Sequence, residues 1–154
     1  MADAILIHEL PGGTAGGGIA GGDAAETRID LPMTAHDRRR VRRLVEAPDG
    51  TRFALELATG TVLTPGQVLH RAGARCYVVT AAREDVIVAR PRSLDEAARV
   101  GHLIGNLHRD LEADGGAIVA LADAALADRL RRAGVPFDLE RRAFHGKAPG
   151  EHAH

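Results

Sequence analysis

The chain has 154 residues, enough for one compact domain or two small ones, and 45% of them are hydrophobic, as in an ordinary globular protein. Aromatic residues make up only 3%, with no Trp, so the ring platforms on which single-stranded nucleic acids stack are nearly absent. The 20 basic and 21 acidic side chains give a net charge of −1, which provides no overall field to draw the protein to DNA or to an anionic membrane.

The N-terminus and the cysteine content favour a cytoplasmic protein without a membrane partner. The first residues lack the basic start and the continuous apolar run of a secretory signal, and no stretch approaches the roughly 20 apolar residues that span a bilayer. The single cysteine, Cys76, cannot form a disulfide within the chain. Eight histidines, against one cysteine and two methionines, mean that a bound metal would be held mainly through imidazole nitrogen.

Residues 1–26 are predicted to form a flexible Gly-rich segment. Seven glycines fall between residues 11 and 26 among small side chains, a composition that costs much entropy to order and buries little surface. A phosphate-binding loop is the alternative, but no Lys-Ser or Lys-Thr pair follows the glycines. The flexible segment is therefore favoured.

Residues 27–80 are predicted to form a β-rich N-terminal domain. Short apolar runs alternate with turn residues, as at 29–31, 41–45 and 61–63. The pair Asp49-Gly50 stands between two such runs and predicts a hairpin.

Residues 81–144 begin with the signals of a strand and a helix. A continuous apolar run at 86–88 predicts the strand. Ser93, with Glu96 three residues later, forms the reciprocal capping pattern that begins a helix.

The rest of this segment completes a ferredoxin-like domain and makes the chain α+β. The turn at 114–116 predicts a hairpin, and a second helix runs from about Asp123 to Gly134, where glycine can take the left-handed conformation that ends a helix. A last strand at 135–144 gives the order strand, helix, strand, strand, helix, strand, which is that of the split βαβ, ferredoxin-like arrangement. The polar tail, 145–154, is expected to be mobile.

The sequence contains no recognised catalytic motif. A Gly-x-Ser-x-Gly elbow, a His-Glu-x-x-His helix, a Cys-x-x-Cys pair and an EF-hand loop are all absent, so no catalytic residue and no enzyme activity are predicted. A zinc-dependent hydrolase is a further hypothesis, but no carboxylate stands out as its general base.

Histidines are concentrated in the second half of the chain. The five found there are His102, His108, His145, His152 and His154. On one regular helix, His102 and His108 would lie about 120° apart around the axis, too far to bind the same ion. His108 follows Ile104 by four residues, so, if the helix continues through Gly105-Asn106, it is predicted to continue the apolar face and to point toward a packing surface.

A second copy of the chain is one source of further ligands. Gly101 and Gly105, four residues apart, would let another backbone approach closely, and a two-fold axis there would place two His108 side chains opposite each other. His152 and His154 in the tail are also candidates, since imidazole favours Ni, Cu and Zn over Mg or Ca. The residues alone leave open a plainer interpretation, in which His108 only hydrogen-bonds or offsets the helix dipole.

A basic cluster supports a different hypothesis, an adaptor that binds nucleic acid or protein. Its members are Arg38, Arg39, Arg40, Arg42 and Arg43. Such a cluster could neutralise several phosphates. An edge strand whose charges discourage unwanted strand pairing is the favoured alternative, and no nucleic-acid partner is predicted.

Several stretches resemble the family of UreE urease accessory proteins. They are the basic run His36-Asp37-Arg38-Arg39-Arg40-Val41-Arg42, the segments 49–53 and 57–63, and the run His102-Leu103-Ile104-Gly105-Asn106-Leu107-His108. The most specific element is Gly-Asn-x-His, at residues 105–108. The resemblance covers most of the chain from about Leu31 onward.

The resemblance implies a metallochaperone that delivers Ni(II) for assembly of the urease metallocentre. It implies a homodimer with nickel at the subunit interface, bound by His108. It also implies an auxiliary tail ligand, which is His152 or His154, with His145 a weaker candidate. His102 is expected in a supporting role. Zn(II) or Cu(II) would also suit imidazole ligands. The implied partners are the GTPase of the urease maturation set and, through it, the apo-urease complex.

Overall fold

The computed structural model describes residues 3–12 and 26–146. The chain divides into two compact units, Met1–Ala81 and Ala82–His154. Strands predominate over helices in a mixed α+β architecture, so the predicted fold class is confirmed at that level. Within the described residues, no helix is long and apolar enough to cross a membrane.

The first unit contains two three-stranded sheets. Its elements are β1 (Ile5–Ile7), β2 (Thr27–Met33), α1 (Ala35–Arg38), β3 (Arg42–Glu46), β4 (Arg52–Glu56), β5 (Val68–Ala72) and β6 (Arg75–Ala81). One sheet has the order β1-β4-β3 and the other the order β2-β6-β5. Their apolar side chains share one core, in which the rings of Phe53 and Tyr77 meet edge to face at 4.8 Å.

The predicted hairpin at Asp49-Gly50 is confirmed and joins β3 to β4. Gly50 has a φ of 83°, a conformation that glycine adopts without steric cost. The carboxylate of Asp49 accepts hydrogen bonds from the Thr51 amide at 3.0 Å and the Tyr77 hydroxyl at 2.9 Å. The turn is therefore tied to β6 of the other sheet.

Three sequence predictions for this unit are wrong. Residues 5–7, within the segment expected to be flexible, form β1 and pair in parallel with β4, burying Ile7; residues 13–25 of that segment lie outside the described chain. The basic run begins with helix α1 rather than a strand, because the Thr34 hydroxyl accepts a hydrogen bond from the Asp37 amide and caps it. No strand forms at 61–63, because the Leu63 amide donates to the Arg38 carbonyl at the end of α1.

The second unit is one four-stranded sheet with two helices. Its elements are β7 (Arg83–Ala89), α2 (Leu94–Asn106), β8 (Glu112–Asp114), β9 (Ala117–Leu121), α3 (Ala124–Arg132) and β10 (Phe137–Ala143). The sheet has the order β10-β7-β9-β8, and all its neighbouring strands are antiparallel.

Both helices pack on one face of this sheet. Ile87 and Ala120 belong to the same buried cluster as Ile104 of α2 and Leu130 of α3. Alternation along β7 sends Val86 to the opposite face, where it is also fully buried. Strands that are apolar on both faces agree with the continuous apolar run in the sequence.

The helix ends follow the predicted capping residues. Ser93 caps α2, because its hydroxyl accepts a hydrogen bond from the Glu96 amide at 3.1 Å. The Glu96 carboxylate accepts in turn from the Arg92 amide rather than from that of Ser93. Helix α3 begins after the cap Asp123 and ends just before Gly134, as predicted.

Candidate metal site

His108 lies just past the end of helix α2, in a left-handed backbone conformation with a φ of 52°. Leu107 is the C-cap of this helix. The His108 amide donates to the Gly105 carbonyl at 2.9 Å and the Arg109 amide to the Ile104 carbonyl at 3.3 Å. These two hydrogen bonds form a Schellman motif with His108 at the position that is usually glycine.

Helix α3 ends in the same motif with the usual residue. Gly134 has a φ of 68°, its amide donates to the Arg131 carbonyl at 3.0 Å, and the Val135 amide donates to the Leu130 carbonyl at 2.9 Å. A side chain at such a position costs about 1–2 kcal/mol in steric strain. In the described part of the chain, His108 is the one non-glycine residue with a positive φ. Strain of this kind persists only where the surrounding structure holds it, and it often marks a functional site.

The residue after His108 is fixed by helix α3. The Arg109 guanidinium pairs with the carboxylate of Asp123. The same carboxylate accepts hydrogen bonds from the amides of Ala125 and Leu126 at 2.8 and 3.0 Å, which caps α3. The backbone around His108 is therefore held on both sides, while its imidazole is exposed to solvent.

The structure corrects the predicted direction of His108. Helix α2 stops at Asn106, so His108 does not continue the apolar face that contains Ile104 and does not point into a packing surface of its own chain. The imidazole is exposed at the helix end instead. Leu107 packs partly against the helix-side core, which anchors the turn.

His102 occupies a separate place on α2. It is exposed on the helix, and its Nε2 lies 3.0 Å from the Asn106 Nδ2 in the next turn. This pairing orients the His102 ring. The structure does not bring His102 together with His108 in a group of ligands.

His145 lies at the start of the tail and is held by Glu112. Its backbone amide donates to the Glu112 carboxylate at 2.8 Å, and its Nδ1 lies 3.8 Å from the other carboxylate oxygen. His152 and His154 lie outside the described residues. Over 3–12 and 26–146, no three His, Cys, Asp or Glu side chains are grouped to hold a metal.

Comparison with known proteins identifies the family. The model for "UreE urease accessory protein, N-terminal domain" matches residues 9–82. A urease accessory protein UreE of Deinococcus radiodurans is 52% identical over 125 residues, 81% of this chain and 81% of the relative. One of Synechococcus is 50% identical over 126 residues, 82% of this chain and 85% of the relative. The chain belongs to the UreE family.

Membership in the UreE family confirms the resemblance read from the sequence. The family consists of accessory proteins rather than enzymes, and on that ground the expectation of no enzyme activity is confirmed. A relative from Corynebacterium efficiens with the same name is 33% identical over 128 residues, so the likeness extends to more distant members.

The basic cluster of this UreE family member is divided by the fold. Arg38 is buried and donates to the Met33 carbonyl at 3.0 Å. Arg43 pairs with Asp37 at 2.6 Å, and its side chain is only 15% exposed. Two of the five arginines thus stabilise the structure, which weakens the adaptor hypothesis and agrees with the position of β3 at a sheet edge.

The contact between Glu112 and His145 is one that the sequence did not indicate. Glu112 shares a three-residue strand with Asp114, and no recognised motif surrounds it. Its partner, His145, is 33 residues away in the sequence, so only the fold brings the two together.

Proposed function

We propose that the chain is a nickel metallochaperone that delivers Ni(II) for assembly of the urease metallocentre. The observation that carries the proposal is His108, whose exposed imidazole is held on a fixed backbone in a conformation that favours glycine. The relatives are named urease accessory proteins, which supports the destination of the metal.

The chemistry of the ligands suits a carrier. A neutral imidazole is a good ligand for Ni(II), and Zn(II) or Cu(II) would bind by the same nitrogen. One His108 per chain is too few to hold an ion tightly, so other donors must complete the site. His152 and His154 are the proposed additional ligands, with His145 a weaker one and His102 in a supporting role. An exposed site completed by separate segments allows the metal to be passed on.

We further propose that two chains form a homodimer through the exposed side of α2, with the two His108 side chains near the axis. A Cβ added at Gly101 or at Gly105 would meet nothing within 4 Å. The single chain therefore has no steric need for these glycines, although each costs about 0.5–1 kcal/mol in a helix interior. Leu94, seven residues before Gly101 and so on the same side of the helix, is 86% exposed. A second copy would explain both features.

The second unit fits the ferredoxin-like class. One antiparallel sheet carries both helices on a single face, and the elements follow in the order of a split βαβ. The proposed partners remain the urease maturation GTPase and the apo-urease complex, and cytoplasm remains the expected location.

Calorimetric titration with Ni(II) tests the metal site. The wild type should bind about one tight ion per two chains, as a site on a two-fold axis requires. His108→Ala should lose this tight site, whereas His102→Ala, which removes an imidazole in a supporting role, should weaken it far less. A chain ending at Gly150 should bind more weakly because it lacks the two tail histidines. Tight binding that survives in His108→Ala would refute the assignment.

A further inference from the structure

The sheet β1-β4-β3 of the first unit has one face on the core and one face toward solvent. Phe53 and Leu55 of β4 are buried in the core, so alternation along this strand sends Arg52, Ala54 and Glu56 to the other face. The same alternation directs the exposed residues of β1 and β3 to this side. The outer face therefore consists of rows of side chains that run across the three strands.

The middle row of this outer face is apolar. The strand register places Leu6 of β1 and Leu44 of β3 on either side of Ala54 of β4. Leu6 is 49% exposed and Leu44 is 53% exposed, and they are two of the four large hydrophobic side chains that are exposed in the described residues. Single exposed leucines are common, but leucines aligned across a sheet form a continuous patch, and such patches mark contact surfaces.

A charged row borders the apolar row on each side. On one border Arg52 is opposite Glu46, and on the other Glu56 is opposite Arg42. His8, which follows β1, has its Nδ1 3.6 Å from the Glu56 carboxylate. The two borders therefore carry opposite charges at equivalent places. Strand β4 has its cation on one border and its anion on the other, and β3 has the reverse.

This arrangement of charges is complementary to a copy of itself. When two copies stack face to face about a two-fold axis along the apolar row, each border meets the opposite border of the second copy. Arg52 then faces Glu56 of the second copy, and each apolar residue faces its equivalent. Glu46 likewise faces Arg42 of the second copy. With the axis along the strands instead, Arg52 would face Arg52 and Glu56 would face Glu56, and these like charges would repel.

We propose that the outer face of the sheet β1-β4-β3 is a self-association surface that binds the same face of a second copy of the chain. It lies in the first unit, so it is separate from the α2 contact of the second unit and does not depend on the proposed metal site. Three strands and three rows span only about 10 Å by 14 Å between backbones, well below a standard interface of about 800 Å² per partner. The association is therefore weak, and salt weakens it further because ion pairs border the contact.

Reversing the charges of one border tests this complementarity. The double variant Arg52→Glu/Glu46→Arg keeps opposite charges across β3 and β4 of its own sheet but sets like charges against the facing border. Glu56→Arg/Arg42→Glu does the same from the other border. Each double variant alone should associate at least about tenfold more weakly than the wild type. The two double variants mixed together should associate as the wild type does, because every facing pair again has opposite charges.

Sedimentation of the metal-free full chain at low salt, over about 0.01–1 mM, measures the association. The wild type should grow beyond its smallest assembly as the concentration rises, and about 0.5 M salt should reduce this growth. Leu44→Ser, which leaves the charges in place, should weaken association about tenfold. Asp128→Arg/Arg132→Asp reverses an exposed ion pair on α3 and is the matched control that should sediment as the wild type does. Urea unfolding shows whether each variant folds.

Three results would overturn the proposal. The first is a wild type that does not grow at about 1 mM, which would leave this face to a partner of another kind. The second is wild-type association in either double variant, and the third is a mixture of the two that stays as small as each alone. Unchanged association of Leu44→Ser would also overturn it, even if a double variant failed to fold. The α2 contact is tested separately, by the variants at Gly101 and Gly105.

Discussion

Replacing His108 with glycine should make the metal-free protein more stable. The substitution removes the steric strain of a left-handed residue with a side chain, about 1–2 kcal/mol. Against this, glycine gives the unfolded chain more conformational freedom, which lowers the free energy of unfolding by about 0.4–1 kcal/mol. The exposed imidazole contributes little packing, so the free energy of unfolding should rise by about 0.5–1 kcal/mol.

Urea unfolding of metal-free protein measures this difference, and two variants serve as controls. His102→Gly makes the same chemical change inside helix α2 and should lower the free energy of unfolding by a few tenths of a kcal/mol. Gly134→His places histidine in the equivalent motif of α3 and should lower it by about as much as His108→Gly raises it.

With nickel bound, the wild type should be more stable than His108→Gly, which is the reverse of the order in the metal-free proteins. At free nickel 100-fold above its dissociation constant, the wild type should gain about 2.7 kcal/mol, whereas His108→Gly should gain little. The reasoning is refuted if metal-free His108→Gly is less stable than the wild type, because the side chain would then make a favourable contact that outweighs its strain.

Three other predictions concern the dimer, the β3–β4 turn and the cap of α3. Gly101→Ala and Gly105→Ala should each raise the stability of the isolated chain by about 0.5–1 kcal/mol and weaken dimerisation, as sedimentation would show. The hydrogen bond from the Thr51 amide is the largest cause that lowers the pKa of Asp49. The stability that the ionised Asp49 carboxylate contributes should therefore be present above about pH 4 and should be lost as the pH falls through the lowered pKa. The stability of Asp49→Asn, followed by acid titration, should depend less on pH. Asp123→Ala should cost about 1 kcal/mol on thermal unfolding through the lost cap of α3.

Each of these three predictions has an outcome that would contradict it. Unchanged sedimentation of both glycine variants would place the dimer contact elsewhere. A wild-type acid transition identical to that of Asp49→Asn would mean that the turn hydrogen bonds do not favour the ionised carboxylate. Asp123→Ser, which keeps a capping hydroxyl but loses the charge facing Arg109, should retain most of the stability; if it loses as much as Asp123→Ala, the ion pair rather than the cap carries the effect.

The second unit was predictable because its signals are local. Ser93 and Asp123 mark the helix starts, Gly134 marks a helix end, and Gly115-Gly116 marks a turn, and each acts through hydrogen bonds or φ values within a few residues. Local rules of this kind are visible without knowledge of the tertiary structure.

The first unit was less predictable because its pairings are distant. β1 pairs in parallel with β4 about 48 residues later, and β2 pairs in parallel with β6. A three-residue strand has little pattern of its own and forms because a partner buries it. For the same reason the sequence does not reveal the contact of Glu112 with His145, 33 residues further along the chain.

The end of helix α2 shows where pattern and structure diverge. The spacing of Ile104 and His108 suggests a helix that continues through both residues, whereas the helix stops two residues before His108. Glycine is the residue that normally signals this stop. Histidine at this position does not give that signal, so the sequence pattern predicts a longer helix than the structure has.

Nickel K-edge X-ray absorption of the loaded protein, compared between the wild type and His108→Gly, tests the central claim most directly, because the spectrum reports the ligand atoms. At about one ion per two chains, the wild type should show nitrogen and oxygen ligands with the outer scattering of imidazole. His108→Gly, which should fold at least as well, should lose tightly bound nickel and that imidazole signal. An identical spectrum from His108→Gly, or sulfur scattering from Cys76 in the wild type, would contradict the account.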